Sequence, residues 1–180
     1  MRIISGKHRS RVLKTLEGKN TRPMTDRMKE SVFNTIGPYF DGEIVLDLFG
    51  GSGALSLESI SRGASHAYIS EIARDAFKVI CDNVSALKEN DKVTCLNCDY
   101  KVALKRLSNQ KFDIIFLDPP YRLNIVSEII DELIKNDMLN EGCIVVCHYV
   151  KGNQEIVDTL KLRKNYSYGS SEVAIYENSK

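Results

Sequence analysis

Long apolar runs are missing from this 180-residue chain: none approaches the ~20 residues that a helix needs to cross a bilayer, so no membrane span is expected. The opening residues, Met1 to His8, include basic side chains but no apolar core and no small-residue cleavage site, which argues against a signal peptide. Internal repeats, low-complexity tracts and interdomain linkers are absent too. The length suits one full-sized domain and is short for two. Cysteine is scarce and odd in number, at five, and two of the five lie in strand-like runs. A disulfide framework is thereby disfavoured, and reduced, buried thiols in a cytoplasmic protein are expected.

Cys95-x-x-Cys98 and Cys143-x-x-x-Cys147 invite comparison with a zinc site. An odd spacing along a strand sends the first pair to opposite faces. Histidine is scarcer still, with His8, His66 and His148 scattered along the chain, so no metal is expected.

What is present is an uneven distribution of charge. The net charge of +1 conceals nine Lys/Arg against three acids in residues 1–40, a balance of +6. The remaining residues carry sixteen against twenty-one, a balance of −5. A basic extension on an acidic domain is the electrostatic footprint of a polyanion partner. Residues 1–40 are accordingly read as an RNA-binding extension and residues 41–180 as the main domain. Within the extension, 2–5 and 11–14 alternate around Gly6-Lys7-His8-Arg9-Ser10, which predicts a hairpin with a basic tip. A loop over 17–23 follows, and Thr25 or Asp26 caps a helix through Ile36 that Gly37-Pro38 stops.

From Glu43 onward strands and helices alternate. Strands are predicted over 44–49, 66–70, 93–97, 112–117 and 142–148; helices are predicted over 54–62, 74–88, 101–107, 125–135 and 153–160. Two final strand-like segments, 162–168 and 173–176, flank Tyr168-Gly169-Ser170-Ser171 and suggest a closing antiparallel hairpin. Such alternation gives a parallel sheet covered by helices on both faces.

Two motifs stand where ligands of such sheets gather, at the carboxyl ends of strands. The first is Asp47-Leu48-Phe49-Gly50-Gly51-Ser52-Gly53, a strand running into a glycine-rich turn and a helix. A dinucleotide fingerprint would need a third glycine at position 56, which is Ser56. Asp47 is unfavourable beside a diphosphate but suited to an ammonium, which favours S-adenosylmethionine over NAD. Glu71, ending the next strand, is placed to accept hydrogen bonds from ribose hydroxyls. Asp99, after the third strand, could accept from the adenine amino group. Each of these acids could instead cap a helix.

The second motif is Asp118-Pro119-Pro120-Tyr121, directly after the apolar run Phe112–Leu117. Two consecutive prolines remove two N–H donors and hold the preceding residues out of the helical region. The Asp118 carboxylate and the Asp118 and Pro119 carbonyls then form a group of acceptors, with Tyr121 as a flat stacking face. This arrangement suits the exocyclic amine of a nucleobase; the plain alternative is a turn that ends a strand.

In this order on successive strands, Asp47 to Gly53, Glu71, Asp99 and Asp118 to Tyr121 resemble class I S-adenosylmethionine-dependent methyltransferases. Arg2-Ile3-Ile4-Ser5-Gly6, Thr21-Arg22-Pro23-Met24-Thr25-Asp26-Arg27 and Lys29-Glu30-Ser31-Val32-Phe33-Asn34 narrow the resemblance to the RsmD family, across nearly the whole chain. That resemblance implies a seven-stranded sheet of order 3-2-1-4-5-7-6, its last strand antiparallel. It also implies methylation of a guanine N2 in 16S ribosomal RNA of the small subunit; the protein itself is expected to be a monomer. Asp118, Pro119, Pro120 and Tyr121 would be catalytic, and Asp47, Phe49, Gly51, Gly53, Glu71 and Asp99 would bind the cofactor. Lys7, Arg9, Arg11, Arg22 and Arg27 would hold RNA phosphates. Two residues depart from the family pattern. Gly50 stands where Ala is frequent, which is expected to be harmless, and Cys147 stands where an acid is common, so no role is assigned to it. Adenine-N6 methylation remains open, because the same acceptors serve that amine, as does a noncatalytic RNA-binding assembly factor on this fold. A glutamine-amide methyltransferase is disfavoured, since that class presents Asn where Asp118 stands.

Overall fold

A computed structural model describes residues 1–18 and 23–180. The predicted loop over 17–23, with Arg22, falls largely outside the described residues. The elements are α1 (Asp26–Ile36), β1 (Ile44–Asp47), α2 (Ala54–Ser61), β2 (His66–Ser70), α3 (Arg74–Ala86), β3 (Val93–Leu96), α4 (Tyr100–Arg106), β4 (Phe112–Leu117), α5 (Val126–Lys135), β5 (Leu139–Val150), β6 (Lys161–Tyr168) and β7 (Ser171–Glu177). The seven strands form one sheet of order β3-β2-β1-β4-β5-β7-β6. β1 to β5 are parallel, and β7 runs antiparallel between β5 and β6. This is the expected class I topology. It places β2, β1 and β4 between the strands that carry the two cysteine pairs, and all five cysteines are free thiols.

Side chains on a strand alternate between faces, and both faces here are apolar. Val45, Ile114, Phe116 and Val146 pack on one face with α1, α2 and α3; Leu46, Ile115, Leu117 and Val145 pack on the other with α4 and α5. Phe112 joins the second face although it lies two residues before Ile114, because the β4–β5 register shifts between them. No helix among the described residues is long and apolar enough to cross a membrane.

The N-terminal segment is sewn into this core. Ile3, Leu13, Met28, Val32 and Phe33 belong to the same buried cluster as Val45 and Leu57. Glu58 on α2 is fully buried and accepts from the Ile4 and Ser5 N–H groups at 2.9 and 3.2 Å and from Arg62 Nε at 2.9 Å. Lys29 Nζ lies 3.3 Å from Glu58 and donates to the Arg2 carbonyl at 2.8 Å. Burial holds the Lys29 pKa below its ordinary value despite the pull of Glu58.

The predicted hairpin is present and short: Arg2 pairs antiparallel with Val12, the Ile3 N–H donates to the Arg11 carbonyl at 2.9 Å and the Leu13 N–H to the Met1 carbonyl at 3.0 Å, and the tip folds down onto α2. At Gly6 (φ +90°) a Cβ would lie 1.9 Å from the Ser61 carbonyl oxygen, and the Lys7 N–H donates to that same oxygen. One expectation is corrected: 153–160 is not a helix. Its polar side chains are claimed by separate elements: Gln154 donates to the Tyr176 hydroxyl and accepts from Asn165, while Glu155 accepts from the start of α5. Ile156 is left 87% exposed, so the apolar stripe that a helix would bury never assembles.

Candidate active site

The carboxyl ends of β1 to β5 meet along one edge. β1 ends in Asp47, buried to 2% exposure, whose Oδ1 accepts from the Phe49 N–H at 3.2 Å while Oδ2 lies 3.5 Å from the Ser56 hydroxyl. Burial raises its pKa to about 7, and the charges of Asp118 and Glu71 push the same way. Its charged neighbours are thus anionic, and a cation is what would stabilise the ionised form.

The glycine turn that follows is held by Gly50 N–H to the Ser70 carbonyl at 2.9 Å and Gly53 N–H to the Gly50 carbonyl at 2.8 Å. Gly51 and Gly53 adopt φ of +59° and +81°. At Gly50 an added Cβ would lie 2.4 Å from Ile69 Cγ2 and 2.9 Å from Ile80 Cδ1. Glycine at position 50 is therefore matched to these two isoleucines, and an alanine there would require them to retreat.

Glu71 reaches back across this turn. Its Oε2 accepts from the Gly51 N–H and its Oε1 from the Ala73 N–H, both at 2.9 Å. An ionised carboxylate has about four acceptor positions, so binding the turn and the start of α3 leaves capacity for ribose hydroxyls. Asp99 caps α4 by accepting from the Val102 N–H at 2.9 Å, the capping role weighed for it from sequence. Phe49 and Tyr100 stand with ring centroids 5.5 Å apart and form an aromatic wall beside it.

Past β4 the character changes. The Pro120 carbonyl accepts from the Leu123 N–H at 2.9 Å, whereas among the described residues no turn or loop hydrogen bond occupies the Asp118 or Pro119 carbonyl. Tyr121 is 48% exposed, with the Arg122 guanidinium 5.6 Å from its ring centroid. An open cleft of about 940 Å³ separates Tyr121, Arg122 and Asn124 from residues 152–156.

His148, a residue with no sequence motif around it, lies against the tetrapeptide: its Nδ1 is 3.0 Å from Asp118 Oδ1. The signal that could have found it is register. β4 and β5 pair in parallel with Leu117 opposite Cys147, so the next residues, Asp118 and His148, are neighbours.

The basic residues of the extension divide. Lys7 Nζ lies 3.1 Å from Glu89, and Arg11 donates to the Ala86 carbonyl at 3.0 Å; Arg9 and Arg27 are exposed. His8 Nε2 also meets Glu89, at 2.6 Å. Burial of Glu89 opposes its ionisation, but the bonds from His8 and Lys7 outweigh that and hold its pKa below the ordinary value. Among the described residues no group of three or more His, Cys, Asp or Glu side chains is arranged to hold a metal ion.

The donor set fits S-adenosylmethionine. Among the described residues no cation pairs with the buried Asp47 carboxylate, which suits an ammonium; the glycine turn allows close approach of the backbone, and carboxylates close the next two strands. Fold and site together define a class I S-adenosylmethionine-dependent methyltransferase. The match to known proteins is narrower. The family described as conserved hypothetical protein 95 matches residues 1–177, and the chain belongs to it; this is the RsmD family. Similar proteins include Bacillus subtilis YlbH, 36% identical over 98% of each chain. The ribosomal RNA small subunit methyltransferase D of Haemophilus influenzae is 32% identical, covering 99% of this chain and 94% of its own. Among solved structures, an Escherichia coli protein superposes with a TM-score of 0.83 at 28% identity, covering 99% of this chain and 97% of its own.

Proposed function

We propose that this protein transfers the methyl group of S-adenosylmethionine to the exocyclic N2 amine of a guanine in 16S ribosomal RNA of the small subunit. The observation that carries this reading is the group of acceptors at the end of β4, a partly exposed Asp118 followed by the open Pro119 carbonyl and the Tyr121 ring, beside the cofactor carboxylates. The relatives named ribosomal RNA small subunit methyltransferase D support an RNA substrate.

The cofactor supplies an electrophilic methyl on a sulfonium, and the chain supplies placement. Asp47 takes the ammonium, Glu71 the ribose, and Asp99 with Phe49 the adenine end, while Gly51 and Gly53 let the backbone come close. The guanine N2 lone pair is delocalised into the ring and weakly nucleophilic. Accepting its N–H hydrogens at Asp118 and the Pro119 carbonyl localises that pair towards the methyl. Pro120 keeps this segment free of competing donors, and Tyr121 stacks on a base that has left its helix. Held by these residues, the sulfonium would supply the methyl and keep the bonding pair on sulfur; Asp118 takes the proton released by the N2 nitrogen and passes it to water. Most of the acceleration comes from alignment and fixed dipoles. Residues 1–40 serve as the RNA-facing extension of the 41–180 catalytic domain. Lys7, Arg9, Arg11, Arg22 and Arg27 hold phosphates, which positions RNA without reading its sequence.

The test is incubation with methyl-labelled cofactor and small subunits from an unmodified strain, followed by nucleoside analysis. Label in N2-methylguanosine is expected. Label in N6-methyladenosine would overturn the guanine assignment, and no label with intact RNA binding would favour the assembly factor.

A further inference from the structure

His148 is one of few polar side chains buried at the sheet edge that faces the cleft. Its side chain is 6% exposed, against 30% for Asp118. An ionised carboxylate can only accept, so the 3.0 Å contact makes Nδ1 the donor and Asp118 Oδ1 the acceptor. Oδ1 is thereby occupied and Oδ2 is left for another donor. A narrow pocket of about 20 Å³ joins His148 to Pro119 and Tyr121, so the imidazole lies directly behind the group of acceptors.

We propose that His148 is a positioning residue for methyl transfer: it fixes the Asp118 carboxylate through Oδ1 and so aims Oδ2 at the substrate amine. This rests on the assignment of Asp118 to that amine, and holds whether the base is guanine or adenine. An orienting partner of this kind sets the rotamer of the group that touches substrate, as carboxylates do for catalytic histidines with the roles exchanged.

The pair also has a titration. Burial disfavours the charged imidazole, but the hydrogen bond to Asp118 and its negative charge outweigh burial, so the His148 pKa lies above the ordinary histidine value. The other titratable groups lining the same pocket are Tyr121, Tyr149 and Glu155. Glu155 is committed to the Val126 and Ser127 N–H groups, and the β7 residue paired with His148 is the apolar Val173. Asp118 is thus the charge that governs His148. Protonated His148 draws on the Asp118 carboxylate and weakens it as an acceptor for the amine. Turnover should therefore fall as pH drops through the His148 pKa.

Three proteins test this. His148→Ala should lower kcat about 10- to 100-fold, with cofactor affinity unchanged and the acidic limb of the pH profile gone. His148→Asn, whose amide nitrogen can stand near the Nδ1 position but does not titrate, should recover most of kcat and also lack that limb. In Asp118→Asn, the imidazole resonance of His148 should titrate at a lower pH than in wild type by nuclear magnetic resonance. An active wild type with His148→Ala equal to it in kcat and pH profile would overturn the proposal. So would His148→Asn as impaired as His148→Ala, or a His148 pKa indifferent to Asp118→Asn. A wild type that methylates nothing overturns instead the functional reading on which the proposal rests, and the resonance experiment still reports on the pair.

Discussion

The two halves of the site are built differently. At the ends of β1 to β3 every proposed cofactor acid is already engaged by backbone: Asp47 with Phe49, Glu71 with Gly51 and Ala73, Asp99 with Val102. At the ends of β4 and β5 the Asp118 carboxylate meets a side chain, Tyr121 projects half-exposed, and the facing segment 152–156 has no regular structure. A cofactor has one shape, so its site can be wired into the turns that the sheet already needs. A folded RNA presents a larger and less regular surface, and that half is left open. The difference implies that changes on one side should alter binding of the cofactor, and changes on the other should alter transfer.

The largest effect should follow from Asp118→Ala, which removes the acceptor proposed for the reacting amine. Turnover should fall by roughly 100-fold or more, while cofactor affinity stays within a few-fold, as measured by single-turnover transfer and calorimetry. Near-normal turnover would remove Asp118 from the mechanism and dissolve the division.

Glu71→Ala should act on the other half. Loss of hydrogen bonds to a charged group should weaken cofactor binding by about 1.5–3 kcal/mol, with transfer largely restored at saturating cofactor. Unchanged affinity would reduce Glu71 to a strap for the glycine turn.

Asp47 supplies a pH signature confined to the cofactor half. Its raised pKa of about 7 means that the empty site holds a partly protonated acid at neutrality, whereas an ammonium stabilises the ionised form. Cofactor affinity should fall as pH drops below about 7, by up to about tenfold per unit, and Asp47→Asn should flatten that dependence. The stability sign is opposite. A folded pKa above the unfolded value of 3.8 favours the folded state below 3.8, and that contribution is lost as pH rises through about 7. Asp47→Asn should therefore raise the Tm of the unliganded protein at pH 8.

The smallest effect should come from neutralising Lys7, Arg9 and Arg11 together. RNA affinity should become less salt-dependent, by about one unit of slope per lost phosphate contact. Two of the three already meet Glu89 or the Ala86 carbonyl. A total change near one unit would identify Arg9 as the free contact, and identical slopes would send RNA elsewhere.

The sheet and the cofactor half were legible because their signals are local. Alternating strands and helices, an acid before a glycine turn, and Asp-Pro-Pro-Tyr after an apolar strand each occupy a few consecutive residues. What escaped depends on partners far along the chain. His148 acquires meaning only when β4 and β5 come into register. The stretch 153–160 has apolar spacing compatible with a helix, yet Glu155 is bound by α5 and Gln154 by β6 and β7. Glu58, Lys29 and Arg62 look like surface charges on helices until the N-terminal segment closes over them. The close fit of Ile69 and Ile80 around Gly50 likewise shows only once β2 and α3 are packed on the turn.

The most direct test of the two-sided site is calorimetric titration of S-adenosylmethionine into wild type, Glu71→Ala and Asp118→Ala side by side at pH 8. Glu71→Ala should bind about tenfold or more weakly, and Asp118→Ala should match wild type within a few-fold. Weakening by Asp118→Ala equal to that by Glu71→Ala would contradict the division and place the β4 carboxylate in the cofactor site.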